Sequence, residues 1–463
     1  MLISFIFFLL CFIAVGLYSV KFRQNTVDDY LLASSSIKPW MAGFSLFASE
    51  NSGWMFVGYV GLAYTTGLSA IWVLLGWVFG EILILLKTAR PYRAQSEKVK
   101  ATTYGGLLSG WHGTDYKYLR YASAILTVLF LSTYAAAQLS AGGKALNVLI
   151  GWDLKLTAFI GFVIVLAYCW AGGIRATIWT DAVQAIVMII SLSMILGISL
   201  YHAGGFSGIL GNLKAIDPGL VMLLGDDGIL SFLLFATGWL FAGIGIMGQP
   251  HLMVRYMVLD DVDNAHKVVW YYAGLYSFMV ILCTFTALGA RVLIPELMET
   301  DPELALPSMA ATYLPSVFSG MFLAGLFAAA MSTADSLVLS SSAALTKDIL
   351  FNKNTTKPLW NKIGTVFIAS VALGIALMEN ANVFQLVVFA WSAMAAGFTP
   401  ILFVYCLGAK LTQPQALTMM IGGIIVSVYW EISGLTNEIY SAFPGIITGM
   451  ILFGLFKIFA RKA

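Results

Sequence analysis

Apolar stretches of about 18 residues or more recur from one end of this 463-residue chain to the other. Each is long enough to cross a hydrocarbon layer of about 30 Å as a helix. About thirteen are expected, spanning residues 2–20, 40–64, 68–86, 121–150, 154–171, 177–201, 229–254, 268–293, 319–345, 363–378, 383–407, 416–432 and 440–459. Hydrophobic residues make up 60% of the chain and charged ones only 10%, against about 45–50% and 25% in a soluble protein. The fold class is therefore an all-α polytopic membrane protein, with the lipid bilayer as its first partner.

The first segment lacks a basic flank before it and an A-x-A-like site after it, and Lys21 and Arg23 follow the apolar run. It reads as a retained helix rather than a signal peptide, with the N-terminus outside. Threading the remaining segments from there places all but four of the 25 Lys and Arg on one side. The exceptions are Lys144, Lys155, Lys214 and Arg291. By the positive-inside rule the crowded side, with the C-terminus, is cytoplasmic in a cell membrane. The net charge of +2 is spread over loops without interleaved aromatics, so no nucleic-acid partner is expected. Cys11, Cys169, Cys283 and Cys406 all fall within apolar segments, which implies no disulfide framework.

Ionised groups at membrane depth cost several kcal/mol, so those inside the segments require a reason. Four carboxyls qualify: Glu50, Glu81, Asp181 and Asp335. Glu50 lies in the run Ser49-Glu50-Asn51-Ser52-Gly53. Either the helix kinks there and its polar side chains bond to neighbours, or it unwinds and lines a cavity that holds a cation. A second interruption is Gly243-Ile244-Gly245-Ile246-Met247-Gly248-Gln249-Pro250-His251, where glycines precede a proline that breaks the backbone ladder. Glycines alone also serve close helix packing. The two interruptions fall in the second and seventh segments, five apart, the pattern of an inverted-repeat transporter with its site near the midplane.

In Ala329-Ala330-Met331-Ser332-Thr333-Ala334-Asp335-Ser336, helical spacing puts Ala329, Ser332, Thr333 and Ser336 on one face. Hydroxyls and carbonyls suit a hard cation such as sodium, although Ser and Thr also bond back to the preceding turn. Asp181 fits a helix-start carboxylate and a deeper cation ligand equally well. Glu81 reads as a packing or gating carboxyl and His251 as structural, neither with a site role.

Taken together, Gly172-Gly173-Ile174-Arg175-Ala176, Trp179-Thr180-Asp181, Gly248-Gln249-Pro250-His251 with Arg255, and Met331-Ser332-Thr333-Ala334-Asp335-Ser336 resemble the sodium/solute symporter family. The sodium/proline branch is the most similar. The resemblance implies the leucine-transporter fold, with two inverted five-helix repeats. The expected organisation is an extra helix and loop at 1–36, repeats at 37–202 and 228–408, and two further helices at 414–463. It implies a sodium ion held by Ala48, Asn51, Ala329, Ser332 and Thr333. A second sodium or a coupling role is implied for Glu50, Asp181, Asp335 and Ser336. Glu50 stands where the branch has aspartate, and Asp335 replaces a serine.

The solute is expected near Ser52, Gly53, Tyr134, Trp239, Ala242 and Ile246. Ala242 and Ile246 fall where the proline branch carries a tryptophan and a tyrosine, and Trp239 stands one turn earlier. The implied function is sodium-coupled import of a small solute by alternating access, proline or another amino acid first, a small carboxylate or sugar acid next. An intramembrane enzyme is disfavoured: there is no H-E-x-x-H, no G-x-S-x-G in a suitable context, and only four scattered histidines. A transporter-like sensor would need an output domain, and none is recognised in the sequence. A channel is the remaining rival.

Overall fold

The computed structural model describes residues 1–24, 26–224, 228–350, 358–378 and 383–460. Lys353, Lys357, Arg461 and Lys462, counted above among the cytoplasmic cations, lie outside the described residues. The principal helices are α1 (Leu2–Ser19), α2 (Pro39–Glu50), α3 (Val60–Thr66), α4 (Ile71–Val99), α5 (Lys117–Ile150), α6 (Leu154–Ala203) and α7 (Gly228–Ile244). They continue as α8 (Pro250–Met257), α9 (Ala265–Leu293), α10 (Ser316–Ala343), α11 (Pro358–Ala376), α12 (Val383–Cys406), α13 (Gln413–Ile432) and α14 (Ala442–Ala460).

Eleven helical stretches among the described residues are long and apolar enough to cross a membrane. The expected segments fall on them as follows. Segment 40–64 is divided between α2 and α3. Segments 154–171 and 177–201 are the two arms of α6, which runs through the gap expected at 172–176. At that joint Gly173 adopts φ 58° and ψ −151°, and a Cβ there would lie 2.3 Å from the Tyr30 carbonyl oxygen. A backbone geometry open only to glycine thus bends the helix around the short helix Val27–Leu32. Segment 68–86 ends too early: α4 continues to Val99, so the basic stretch beginning at Lys87 is helix before it is loop. Hydropathy falls after Leu86, but Ala, Arg, Gln, Glu and Lys keep strong helix propensity.

Burial separates the centre from the rim. The apolar windows of α10 and α12 are 83% and 89% buried, whereas those of α1 and α14 are each 22% buried and face lipid. At the centre α10 packs on α5 and α6, while α2 lies against α6 and α9. Short helices, Gly205–Ile216 and Ala305–Tyr313, lie between α6 and α7 and between α9 and α10. The four cysteines are free.

The ends of α2 and α8 remote from the centre are pinned to each other. Ile37 N–H donates to Val258 O and Asp260 N–H to Ile37 O, both at 3.1 Å, and Lys38 Nζ pairs with Asp260 at 2.8 Å. Partial burial pushes the Asp260 carboxyl up, but bonds from Lys38 and Asn264 outweigh it and hold the group below its ordinary range.

Replacing Gly173 with Ala is expected to lower stability by about 1–3 kcal/mol, the range for a strained backbone conformation. A thermal melt of the detergent-purified protein checks this, and an unchanged melting temperature would contradict it.

Candidate functional site

The helix begun by α2 stops at Glu50, because Asn51 leaves helical geometry (φ −76°, ψ 63°), and resumes as a π-helical turn at Trp54–Tyr59 leading into α3. Ser, Asn and Gly favour such a stop, since short polar side chains compete for backbone bonds and glycine adds freedom. Freed groups on both sides of the break are met by protein. Gly53 N–H donates to Gln138 Oε1 at 2.9 Å, and Trp54 N–H to Ser52 Oγ at 3.1 Å. On the other side of the break, Ala48 O accepts from Ser332 Oγ at 3.0 Å and Ser49 O from Thr333 Oγ1 at 2.8 Å. The helix unwinds here, and side chains of neighbouring helices bond to groups on both sides of the break.

Four of the five residues expected to hold sodium therefore converge. Ser332 Oγ and Thr333 Oγ1 each also lie 3.2 Å from Ala329 O, so two hydroxyls and the carbonyls of Ala48, Ser49 and Ala329 form one buried cluster. Asn51, the fifth, has its Oδ1 buried without a partner. These oxygens are neutral, and among the described residues no group of three or more His, Cys, Asp or Glu could hold a metal. Neutral oxygens suit a hard monovalent cation better than a transition metal.

The second expected set is rearranged by Arg255. Counted from sequence among the cytoplasmic cations, Arg255 is fully buried. Its Nη2 lies 3.1 Å from Asp181 Oδ2, 2.6 Å from Ser49 Oγ and 2.5 Å from Ser336 Oγ, and its Nε donates to Ser45 Oγ at 3.1 Å. Ser45 Oγ in turn donates to Asp181 Oδ2 at 2.6 Å. Asp335 sits beside this network, accepting from Ser336 at 3.1 Å and Thr177 at 3.4 Å. Of that set, Asp181 and Ser336 thus meet a guanidinium directly. Glu50, placed in the same set by resemblance, lies elsewhere.

Glu50 is paired with Glu81, a residue read above as a packing or gating carboxyl without a site role. Trp77 Nε1 is 2.8 Å from Glu50 Oε1 and 2.8 Å from Glu81 Oε1, and the Tyr272 hydroxyl donates to Glu50 at 2.6 Å and also contacts Glu81. Both carboxyls are buried, and among the described residues neither has an ion-pair partner. Trp77 and Glu81 are four residues apart on α4, so one helical face carries both.

Trp77 also begins an aromatic cluster. Its ring lies 4.9 Å from Trp54, 4.6 Å from Trp391 and 5.8 Å from Trp239, centroid to centroid. Of the residues expected near the solute, Trp239 stacks on Tyr440 at 4.8 Å, and the Ala242 carbonyl accepts from Trp391 Nε1 at 2.8 Å. Trp391, whose ring packs on Trp77, thus meets Ala242 from another helix. Ile246 is buried in the tight turn Gly245–Gly248 that separates α7 from α8, the second interruption. Tyr134 comes to the first break, its hydroxyl 3.5 Å from Ser52 Oγ. Trp77, Gln138, Tyr272 and Trp391 were not anticipated; only the Trp77–Glu81 spacing offered a signal.

Two helices broken at membrane depth, with polar groups gathered at both breaks, define a secondary transporter. The sequence matches the Sodium:solute symporter family over residues 30–423, and the chain belongs to that family of sodium-coupled solute symporters. Among similar proteins, the high-affinity proline transporter PutP of Bacillus subtilis is 27% identical, covering 94% of this chain and 93% of its own. The sodium/proline symporter of Salmonella typhimurium is also 27% identical, over 100% and 93%. A Na+-coupled sialic acid symporter superposes with a TM-score of 0.78 at 21% identity, covering 98% of this chain and 97% of its own. MhsT, solved with L-phenylalanine, superposes at 0.59 with 16% identity, covering 90% and 97%. The fold is that of the leucine transporter.

Removing one member of a buried ion pair leaves the other charge uncompensated, which costs about 3–5 kcal/mol. Asp181→Asn is therefore expected to lower the melting temperature sharply, and the double variant Asp181→Asn with Arg255→Met to recover part of the loss. Equal melting temperatures for the single variant and the wild type would contradict the pairing.

Proposed function

We propose that the chain imports an amino acid, with L-proline the first candidate, together with a sodium ion bound by Ala48, Asn51, Ala329, Ser332 and Thr333. The observation that carries the ion site is the pair of hydroxyls on α10 that reach the carbonyls of Ala48 and Ser49 at 3.0 and 2.8 Å. With sodium bound, the hydroxyl hydrogens turn away and the same oxygens face the ion, tying α2 to α10. Solute binding beside that joint then favours closure on one side and opening on the other. Each ligand strengthens the other by the same factor, as linkage requires. Each inward charge gains about 2.3 kcal/mol per 100 mV, before the concentration gradient is added.

Two observations support an amino acid over a small carboxylate or sugar acid. The relatives named above are proline transporters. Buried Glu50 and Glu81, joined by Trp77 to the aromatic cluster, suit a protonated nitrogen and repel an anion. The orientation proposed is N-terminus outside and C-terminus cytoplasmic. On that reading Lys144, bonded to Asp301 at 2.9 Å and Glu303 at 2.6 Å, closes the outer face. A cleft of about 1160 Å³, lined by residues including Lys98, Thr103, Arg120 and Lys410, then opens to the cytoplasm.

The test is uptake of labelled amino acids and small organic acids into proteoliposomes under an inward sodium gradient, with potassium as control. Sodium-dependent L-proline uptake is expected; saturable uptake of another solute alone would replace the substrate, and uptake indifferent to sodium would overturn the coupling site. Thr333→Ala removes one hydrogen-bonding oxygen and is expected to raise the half-saturating sodium concentration about tenfold. Ser332→Ala is expected to act in the same direction. Unchanged sodium dependence in both would remove the assignment.

A further inference from the structure

His251 stands directly after Pro250 in the first turn of α8 and is fully buried. Neither Nδ1 nor Nε2 has a hydrogen-bond partner among the described residues. A histidine kept for packing normally bonds through at least one nitrogen, since an unmet buried polar atom costs about 1–3 kcal/mol. Its ring instead meets Tyr134 edge-on with centroids 5.6 Å apart, and Tyr134 in turn reaches Ser52 in the first break. The imidazole therefore connects the second break to the first through a single aromatic ring.

Two carboxamides at the same breaks are half engaged. Gln138 accepts from Gly53 N–H through Oε1, yet its Nε2 is buried and unpartnered. Gln249 donates to Trp391 O through Nε2 at 3.1 Å, yet its Oε1 is buried and unpartnered. In each case the engaged end fixes the rotation of the amide, so the free end is held in place by the fold. The unmet atoms of these three residues comprise donors and acceptors together. A neutral imidazole offers one of each, Gln138 Nε2 a donor and Gln249 Oε1 an acceptor.

We propose that His251 is a solute-contacting residue which, with the free ends of Gln138 and Gln249, reads a group that presents a donor and an acceptor side by side. An α-amino acid does so through its ammonium and carboxylate. A plain carboxylate uses the donors and leaves the acceptors unmet; a plain amine does the reverse. This assignment rests on the proposed uptake of an amino acid and adds the residue that discriminates it from simpler ions.

The test compares L-proline, pyrrolidine and cyclopentanecarboxylate as ligands of the purified full-length protein in sodium, read by thermal shift and titration. L-proline is expected to raise the melting temperature of the wild type, and each of the other two to act at least about tenfold more weakly, the effect of one lost hydrogen-bonding contact. His251→Phe keeps a ring against Tyr134 and removes both nitrogens. It is expected to weaken L-proline about tenfold while leaving the shift produced by sodium alone unchanged. His251→Gln, which restores a donor and an acceptor, is expected to recover most of that affinity. Wild-type L-proline affinity in His251→Phe overturns the assignment, as does loss of the sodium-only shift together with the solute response. No sodium-dependent response of the wild type to L-proline or to any other α-amino acid of the uptake panel removes the amino-acid reading itself, and the assignment with it.

Discussion

Hydrocarbon offers no hydrogen bonds, so a helix that stops at membrane depth has to find its partners inside the protein. The interruption after Glu50 is satisfied from two directions. Gln138 on α5 meets the amide of Gly53, and Ser332 and Thr333 on α10 meet the carbonyls of Ala48 and Ser49. Those bonds fix where α5 and α10 stand relative to α2, and the polar groups on the same faces arrive with them. Oxygen-rich surface at the centre of an apolar bundle is thus a by-product of ending a helix early.

The buried charges divide into two groups near that interruption. Asp181 is balanced within the protein by Arg255, and the hydroxyls of Ser45, Ser49 and Ser336 complete the network. Glu50 and Glu81 share two neutral donors and, among the described residues, have no ion-pair partner. Ser49 joins the ion pair to the neutral oxygen cluster, since its hydroxyl meets Arg255 and its carbonyl meets Thr333. A shift of the last turn of α2 is therefore felt in the ion pair and in the neutral oxygen cluster together, as coupling between ligands demands.

Much of this was legible in the chain alone. The apolar segments follow from composition and length. The two interruptions follow from residues that cannot continue a helix, and the Ser332–Thr333 face follows from helical spacing, a local rule. What escaped depends on pairings between distant positions. Nothing near Arg255 in sequence announces Asp181, and a basic residue at the end of a segment looks like a topology signal. Glu81 looked unremarkable because its partner lies on another helix. The proline branch carries aromatic residues at the positions of Ala242 and Ile246; here Trp391, on another helix, meets Ala242, and local pattern cannot distinguish it from a packing tryptophan. Hydropathy also placed the end of one segment at Leu86, where the apolar run stops but the helix does not.

The short backbone pairing of Ile37 with Val258 and Asp260 has a mechanical meaning. It welds α2 to α8, one half of each interrupted helix, far from the interruptions themselves. Such a joint fixes the separation of the two half-helices at the ends opposite Asn51 and Gln249, so one cannot be displaced there without straining the other. The opposite halves, α3 and α7, carry no such weld to each other among the described residues. The two interrupted helices are therefore tied to each other on one side of the membrane by backbone pairing that their opposite halves lack.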